Sequence, residues 1–267
     1  MEYRNLGRSG VKVAPLCLGT MMFGGPTEEA DAARIIAKAR DAGFNFIDTA
    51  DVYVEGKSEE IVGRAIADLV RQGKIRYFGV SNYRSWRVAE ICRLADAMGI
   101  DRPVVSQPYY NAMNRAPEVE HLPACGYYGL GVVPYSPLAR GVLTGKYSPD
   151  APPPNDSRVA RQDKRILQTE WRRESLVLAQ QIKSHAEAQG ITAGQFAIGW
   201  VLNNKFITAP VAGPRTMEQW DDYVAALDYK FTAEDEALID RLVPTGHPST
   251  PGYSDPAYPI EGRVPRS

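Results

Sequence analysis

In the stretch FIDTADVY, residues 46–53, the apolar pair Phe46 and Ile47 runs into Asp48, and the phenol of Tyr53 follows five positions later. A carboxylate and a phenol can each hold or release a proton, and general acid–base work needs such groups within reach of one reacting atom. Three further apolar runs also end in polar residues: Ser81 and Asn82, then Gln107, then Tyr135 and Ser136. Their amides and hydroxyls both donate and accept hydrogen bonds, as recognition of a polar ligand requires. A fourth run ends in Gly213-Pro214-Arg215-Thr216. There the glycine lets backbone N–H groups approach phosphate oxygens, and the planar arginine fork suits the same oxygens. Each residue taken alone has a plainer explanation: Asn82 a turn, Gln107 a polar strand end, Tyr135 a core aromatic, Arg215 an exposed cation at a helix start. Their recurrence at the ends of apolar runs is what favours a site.

The elements that must carry these residues alternate between short apolar runs and amphipathic helices, the pattern of βαβ units around a parallel sheet. Strands are predicted at residues 13–19, 44–48, 75–80, 104–107, 131–134 and 206–211. Helices are predicted at 28–42, 58–70 and 85–98, the second with Ser58 as its N-cap. Two proline-rich stretches, 147–163 and 244–267, read as long loops that fold over the C-terminal strand ends and shape a pocket. No repeat or low-complexity segment interrupts the chain, so 1–267 reads as one domain.

A length of 267 residues, 44% hydrophobic content and a net charge of −1 describe an ordinary globular chain with neither sign of charge in excess. That balance argues against nucleic acid or a membrane surface as partner. No apolar run reaches the roughly 18 residues needed to span a bilayer. MEYRNLGRSGVKV lacks the apolar core of a secretion signal. Cys17, Cys92 and Cys125 are odd in number and unclustered, which fits reduced thiols in a cytoplasmic protein and no metal site.

The stretches LGTMMFG, FIDTADVY, GKSEEIVGRAI, IRYFGVSN, VVSQPYYN, VVPYSPLARGVLTGKY and GPRTMEQ are spread along most of the chain, from residue 18 to residue 219. In combination they resemble the aldo-keto reductases, and most of all the branch similar to bacterial general reductases and potassium-channel β subunits. The resemblance implies an α/β fold of the TIM (β/α)8-barrel type and hydride transfer between NADP(H) and a small carbonyl substrate. It makes Tyr53 the proton donor to the carbonyl oxygen and Asp48 its supporting carboxylate. It gives the nicotinamide carboxamide to Ser81, Asn82 and Gln107, and the stacking face to Tyr135. Ser136, Leu138, Arg140, Gly141 and Lys146 fall at the pyrophosphate and ribose, with Gly19, Thr20 and Met21 also against the cofactor. Gly213, Arg215 and Gln219 fall at the 2′-phosphate, and Arg215 with Lys146 favours NADP(H) over NAD(H).

The chain departs from the family pattern in one respect. The family's lysine after the third barrel strand and its histidine after the fourth are both absent. His121, His185 and His247 follow no predicted strand, and Lys57 and Lys74 precede elements rather than end one. Only about six βα units are present. The helix from 58 to 71 begins like the family's second and ends like its fourth, placing the join of an internal deletion near 64–69. Without the lysine, Asp48 would raise the Tyr53 pKa rather than help to lower it. Loss of two adjacent strands either leaves open edges or forces a tighter closure. Three readings stay open: a carbonyl reductase, a shortened chain that binds NADP(H) without turnover, and a regulatory module in the manner of the channel β subunits.

Overall fold

Every strand that carries a candidate residue lies in a parallel arrangement with its polar end pointing the same way. The computed structural model describes residues 1–48, 54, 79–98 and 102–260. A two-stranded antiparallel hairpin, β1 (Arg4–Asn5) with β2 (Lys12–Val13), opens the chain. Then come β3 (Cys17–Gly19), α1 (Glu29–Asp41), β4 (Ile47–Asp48), β5 (Gly79–Ser81) and α2 (Ser85–Met98). The second half holds β6 (Val105–Gln107), α3 (His121–Tyr128), β7 (Gly131–Val132), α4 (Lys164–Gln168), α5 (Arg173–Ala188) and α6 (Ala193–Asn203). It ends with β8 (Val211–Ala212), α7 (Met217–Ala225) and α8 (Ala233–Leu242).

Two three-stranded parallel sheets, β4-β3-β8 and β5-β6-β7, meet along residues 207–212. Ile207 pairs with Val132 of β7, while Val211 pairs with Cys17 of β3. The order across the described residues is therefore β4-β3-β8-β7-β6-β5, and among them no ladder joins β4 to β5. The predicted helix 58–70, strand residues 75–78 and the join near 64–69 lie outside the described residues.

Alternation along the strands sorts side chains into two cores. Cys17, Val133 and Ala209 face inward and pack with Leu6 and Val13 of the hairpin. Leu18 and Ala212 face outward onto Ile35 and Ile36 of α1 and Trp220 of α7. The spacing of Ala32, Ile35, Ile36 and Ala39 predicted α1, and all four are buried. Acidic Glu29 and Asp31 sit in its first turn and basic Lys38 and Arg40 in its last, as the helix dipole favours.

Two predicted strands come out divided. The run 13–19 splits into Val13, which ends β2, and Cys17–Gly19, with the N–H-less Pro15 between them. The run 206–211 is interrupted at Pro210, which has no N–H to give: Ile207 pairs with Val132 of β7, while Val211 pairs with Cys17 of β3 and donates its own N–H to the Pro134 carbonyl after β7. Both proline-rich stretches take defined paths, the second as far as residue 260. Asp163 ends the first by capping α4, accepting from the backbone N–H groups of Arg165 and Ile166. The second is held by Arg165, whose guanidinium forks onto both oxygens of Asp255 at 3.1 and 2.6 Å, and by Arg84, which donates to the Tyr258 and Pro259 carbonyls.

Candidate functional site

The C-terminal ends of β4, β5, β6 and β7 bring five predicted residues into one connected set. Ser81 pairs with Gln107 across the β5–β6 ladder, and its Oγ donates to the Gln107 carbonyl at 3.0 Å. Asn82 Nδ2 donates to Ser81 Oγ at 3.0 Å, and the Tyr135 hydroxyl donates to Asn82 Oδ1 at 2.9 Å. Gln107 Nε2 donates to Asp48 Oδ1 at 2.8 Å, spanning from β6 to β4. Tyr135 is half-buried, and burial holds its phenol well above the usual tyrosine pKa, so it is a neutral ring. Thr20, fully buried after β3, donates to the Asp48 carbonyl at 2.8 Å. Met21, exposed, stands beyond it. Tyr53 lies outside the described residues.

Backbone strain gathers at the same rim. Asn82 has φ 59°, Ser136 φ 57°, Ala139 φ 49° and Arg140 φ 52°, and the turn closes on Gly141 at φ 95°, which a glycine adopts freely. Left-handed conformations cost L-residues roughly 1–3 kcal/mol each and persist where the surroundings over-determine them, which is common at ligand sites. The turn from Ser136 to Gly141 is fixed by Asn111 Nδ2 donating to the Ser136 carbonyl at 2.9 Å and by the buried side chains of Ala139, Val142 and Leu143. Leu138, the residue before this turn's 3-10 segment, packs between the two larger cores.

A second group lies beyond β8. Thr216 caps α7 by accepting from the Gln219 backbone N–H at 3.3 Å, and Gln219 Oε1 in turn accepts from the Arg215 backbone N–H at 2.7 Å. The Arg215 guanidinium stands 3.4 Å from Asp156. Burial lowers the Lys146 pKa, and the nearby charges of Arg215, Arg158 and Arg161 add to the shift against the opposing pull of Asp156. Four cations thus share one region with a carboxylate whose side chain is 82% exposed. A further carboxylate, Asp163, holds Arg158 at 2.8 Å. At Gly213 an added Cβ would meet only the Gly19 carbonyl, at 3.6 Å, so the backbone there is open to approach. Arg158 and Arg161 were missed in the sequence because their loop showed no periodicity. Only the clustering of cations in 158–165 could have flagged them.

The Arg140 side chain, by contrast, turns inward. Its Nη1 donates to Glu170 Oε1 at 2.5 Å and to Thr169 Oγ1 at 3.0 Å, and it is 10% exposed. Any pyrophosphate contact at this position therefore falls to the backbone of the turn, with the guanidinium committed elsewhere. Asp48, expected to lack a cation, has the neutral Gln107 amide as one of its partners.

The donors and acceptors fit a dinucleotide phosphate. Amides and a neutral aromatic ring form one group, an open glycine and four cations another, and the left-handed turn that follows Tyr135 brings Gly141 against Lys146 of the second group. Among the described residues no group of three His, Cys, Asp or Glu side chains could hold a metal ion, and no helix is long and apolar enough to cross a membrane.

A profile described as "Aldo/keto reductase family" matches residues 15–68 and 64–244, two pieces that overlap at 64–68. The "Uncharacterized oxidoreductase YrpG" of Bacillus subtilis (strain 168) is 28% identical over 331 residues, covering 94% of this chain and 98% of that protein. The "Probable voltage-gated potassium channel subunit beta" of Oryza sativa subsp. japonica and that of Arabidopsis thaliana are each 28% identical over 301 residues. Those two alignments cover 85% of this chain and 92% of the relative. All three alignments are longer than the 267-residue chain, so each relative carries positions that this chain lacks.

Proposed function

Because this chain belongs to the aldo/keto reductase family, we propose that it is an oxidoreductase that binds NADP(H) along the strand-end rim and reduces a small aldehyde or ketone. The observation that carries this reading is the continuous bonded set from Asp48 through Gln107, Ser81 and Asn82 to Tyr135. Around it we propose the TIM-barrel architecture of the family, as a single domain from which a segment is missing near 64–69. The two-piece profile match and the over-long alignments support that join.

When bound, the nicotinamide supplies the hydride. The chain's own residues have four tasks. Asn82 and Gln107 present amides that fix one face of a carboxamide, and Tyr135 presents a flat neutral surface at that face. Gly213 and the turn from Ser136 to Gly141 offer backbone N–H groups to phosphate oxygens, apart from those of Ala139 and Gly141, which donate to the Ser136 and Leu138 carbonyls. Lys146, Arg158, Arg161 and Arg215 favour a phosphorylated ribose over a free 2′-hydroxyl. Tyr53 is the proposed acid that delivers a proton to the carbonyl oxygen, with Asp48 beside it.

One observation favours a second reading, in which NADP(H) is bound without turnover. The neutral Gln107 amide takes an Asp48 oxygen, where the family pattern calls for a lysine. On this reading the phenol has a carboxylate but not the family's lysine to help it, so its pKa is not lowered and it donates its proton poorly. Loss of NADPH absorbance with an activated aromatic aldehyde separates the two. Turnover that Tyr53→Phe abolishes supports the first reading, and saturable binding without turnover supports the second. Absence of both refutes the NADP(H) assignment. Sequencing the encoding DNA across codons 64–69 tests the missing segment.

A further inference from the structure

Tyr109 has no place in the assignments above, yet both its ring and its hydroxyl are engaged. It faces Tyr135 across the strand ends, where the Tyr135 backbone N–H donates to the Pro108 carbonyl at 3.0 Å. The two rings lie 5.5 Å apart and 23° from parallel, an offset stack. The Tyr109 hydroxyl donates to Glu170 Oε1 at 2.6 Å. Glu170 is wholly buried, and its other partners are Thr169 and Arg140. The Arg140 guanidinium also lies 5.5 Å from the Tyr109 ring centroid, and Arg140 belongs to the strained turn at φ 52°.

Three elements are thus tied together by one interior carboxylate: the end of β6, the turn after β7 and the residue that follows α4. Burial and the adjacent Glu170 raise the Tyr109 pKa, which keeps its phenol protonated as a donor. A carboxylate in the interior is costly, and apolar residues of similar volume would often hold the same elements at least as well. What an apolar filling lacks is direction. The hydrogen bond and the cation together fix the tilt of the Tyr109 ring, and the stack passes that tilt to Tyr135.

We propose that Tyr109, held by Glu170 and Arg140, is a positioning residue that orients the Tyr135 ring as the nicotinamide platform and links it to the phosphate-facing turn. This rests on the NADP(H) reading. In this unit Arg140 acts through Glu170 and not by direct contact with phosphate.

NADPH fluorescence titration of the full chain tests it. With Tyr135→Leu as the reference loss, Tyr109→Leu is expected to weaken binding by about tenfold, the size of one aromatic pair. It should also shift the emission of bound NADPH. Tyr109→Phe keeps the ring and should stay within about threefold, since it gives up only the hydroxyl bond. In the N-terminal hairpin, Val13 packs with Leu6, Cys17, Val133 and Ala209 rather than with the turn or the stack, so the core variant Val13→Ala should lower stability while leaving affinity and emission unchanged. If Tyr109→Leu does not fold, Glu170→Gln decides, because a neutral amide holds both partners less strongly and about threefold weaker binding is expected. Wild-type affinity and emission in Tyr109→Leu, or in Glu170→Gln where that variant decides, overturn the proposal. If Tyr135→Leu is weakened at the same time, the cofactor reading survives. Failure of the unaltered chain to bind NADPH at all ends both.

Discussion

The Gln107 amide donates to the Asp48 carboxylate across 2.8 Å, linking two strand ends that share no ladder among the described residues. A neutral donor thereby contacts an acid in a family whose pattern expects a lysine. Hydrogen bonds to charged groups contribute about 1.5–3 kcal/mol. Gln107→Leu is expected to lower stability within that range in urea unfolding and to weaken NADPH binding. A variant with wild-type stability and affinity would remove this contact from the account.

The Arg140–Glu170 pair is more deeply enclosed, with side-chain exposures of 10% and 0%. Removing one partner leaves the other's charge buried, at a cost of about 3–5 kcal/mol. Glu170→Leu alone should therefore lower the thermal midpoint sharply. The double variant Arg140→Met with Glu170→Leu should recover most of the loss, since a well-packed apolar pair is often as stable as the ion pair. A double variant that performs worse than the sum of its singles contradicts this.

His121 predicts a pH dependence of stability. Its Nε2 lies 2.9 Å from Ser106 Oγ and 3.6 Å from Cys125 Sγ, and burial lowers its pKa from 6.5. The folded state favours the neutral ring, so the unfolded chain binds the proton more readily. The stabilisation is fully present above 6.5 and is lost as pH falls through the lowered folded value. His121→Gln should flatten the slope of unfolding free energy over that window. An unchanged slope would show that carboxylates alone set it.

Lys146 predicts a pH dependence of binding. Its pKa is lowered from 10.5, first by burial and then by Arg215, while a phosphate dianion needs the ammonium form. NADPH affinity should therefore fall as pH rises towards 10.5, at pH values where an ordinary lysine is still charged. NADH affinity should not follow, and Lys146→Met should abolish the difference in pH response.

How much of this could be read from the sequence differed by element. Helix α1 was legible because Ala32, Ile35, Ile36 and Ala39 all point one way. Helix α2 was legible for the same reason, while the divided strands were not, because Pro15 and Pro210 remove ladder donors that an apolar count does not register. Ser81, Asn82, Gln107 and Tyr135 were visible as polar residues closing apolar runs, and they do form one bonded set. Tyr109 and Glu170 were not, since a buried carboxylate and its phenol partner lie 61 residues apart with no shared periodicity. Arg158 and Arg161 were hidden by a loop whose path depends on the Asp163 cap and an Arg158–Asp163 ion pair.

The central claim is that strand-end amides, the Tyr135 ring and the cationic group beyond β8 bind one NADP(H) molecule. Parallel calorimetric titrations of the full chain with NADPH and NADH test it most directly. The account predicts saturable one-to-one binding of NADPH, at least about tenfold tighter than NADH, with the preference removed in Arg215→Ala. Equal affinity for both nucleotides, or no saturable binding of NADPH, would contradict it.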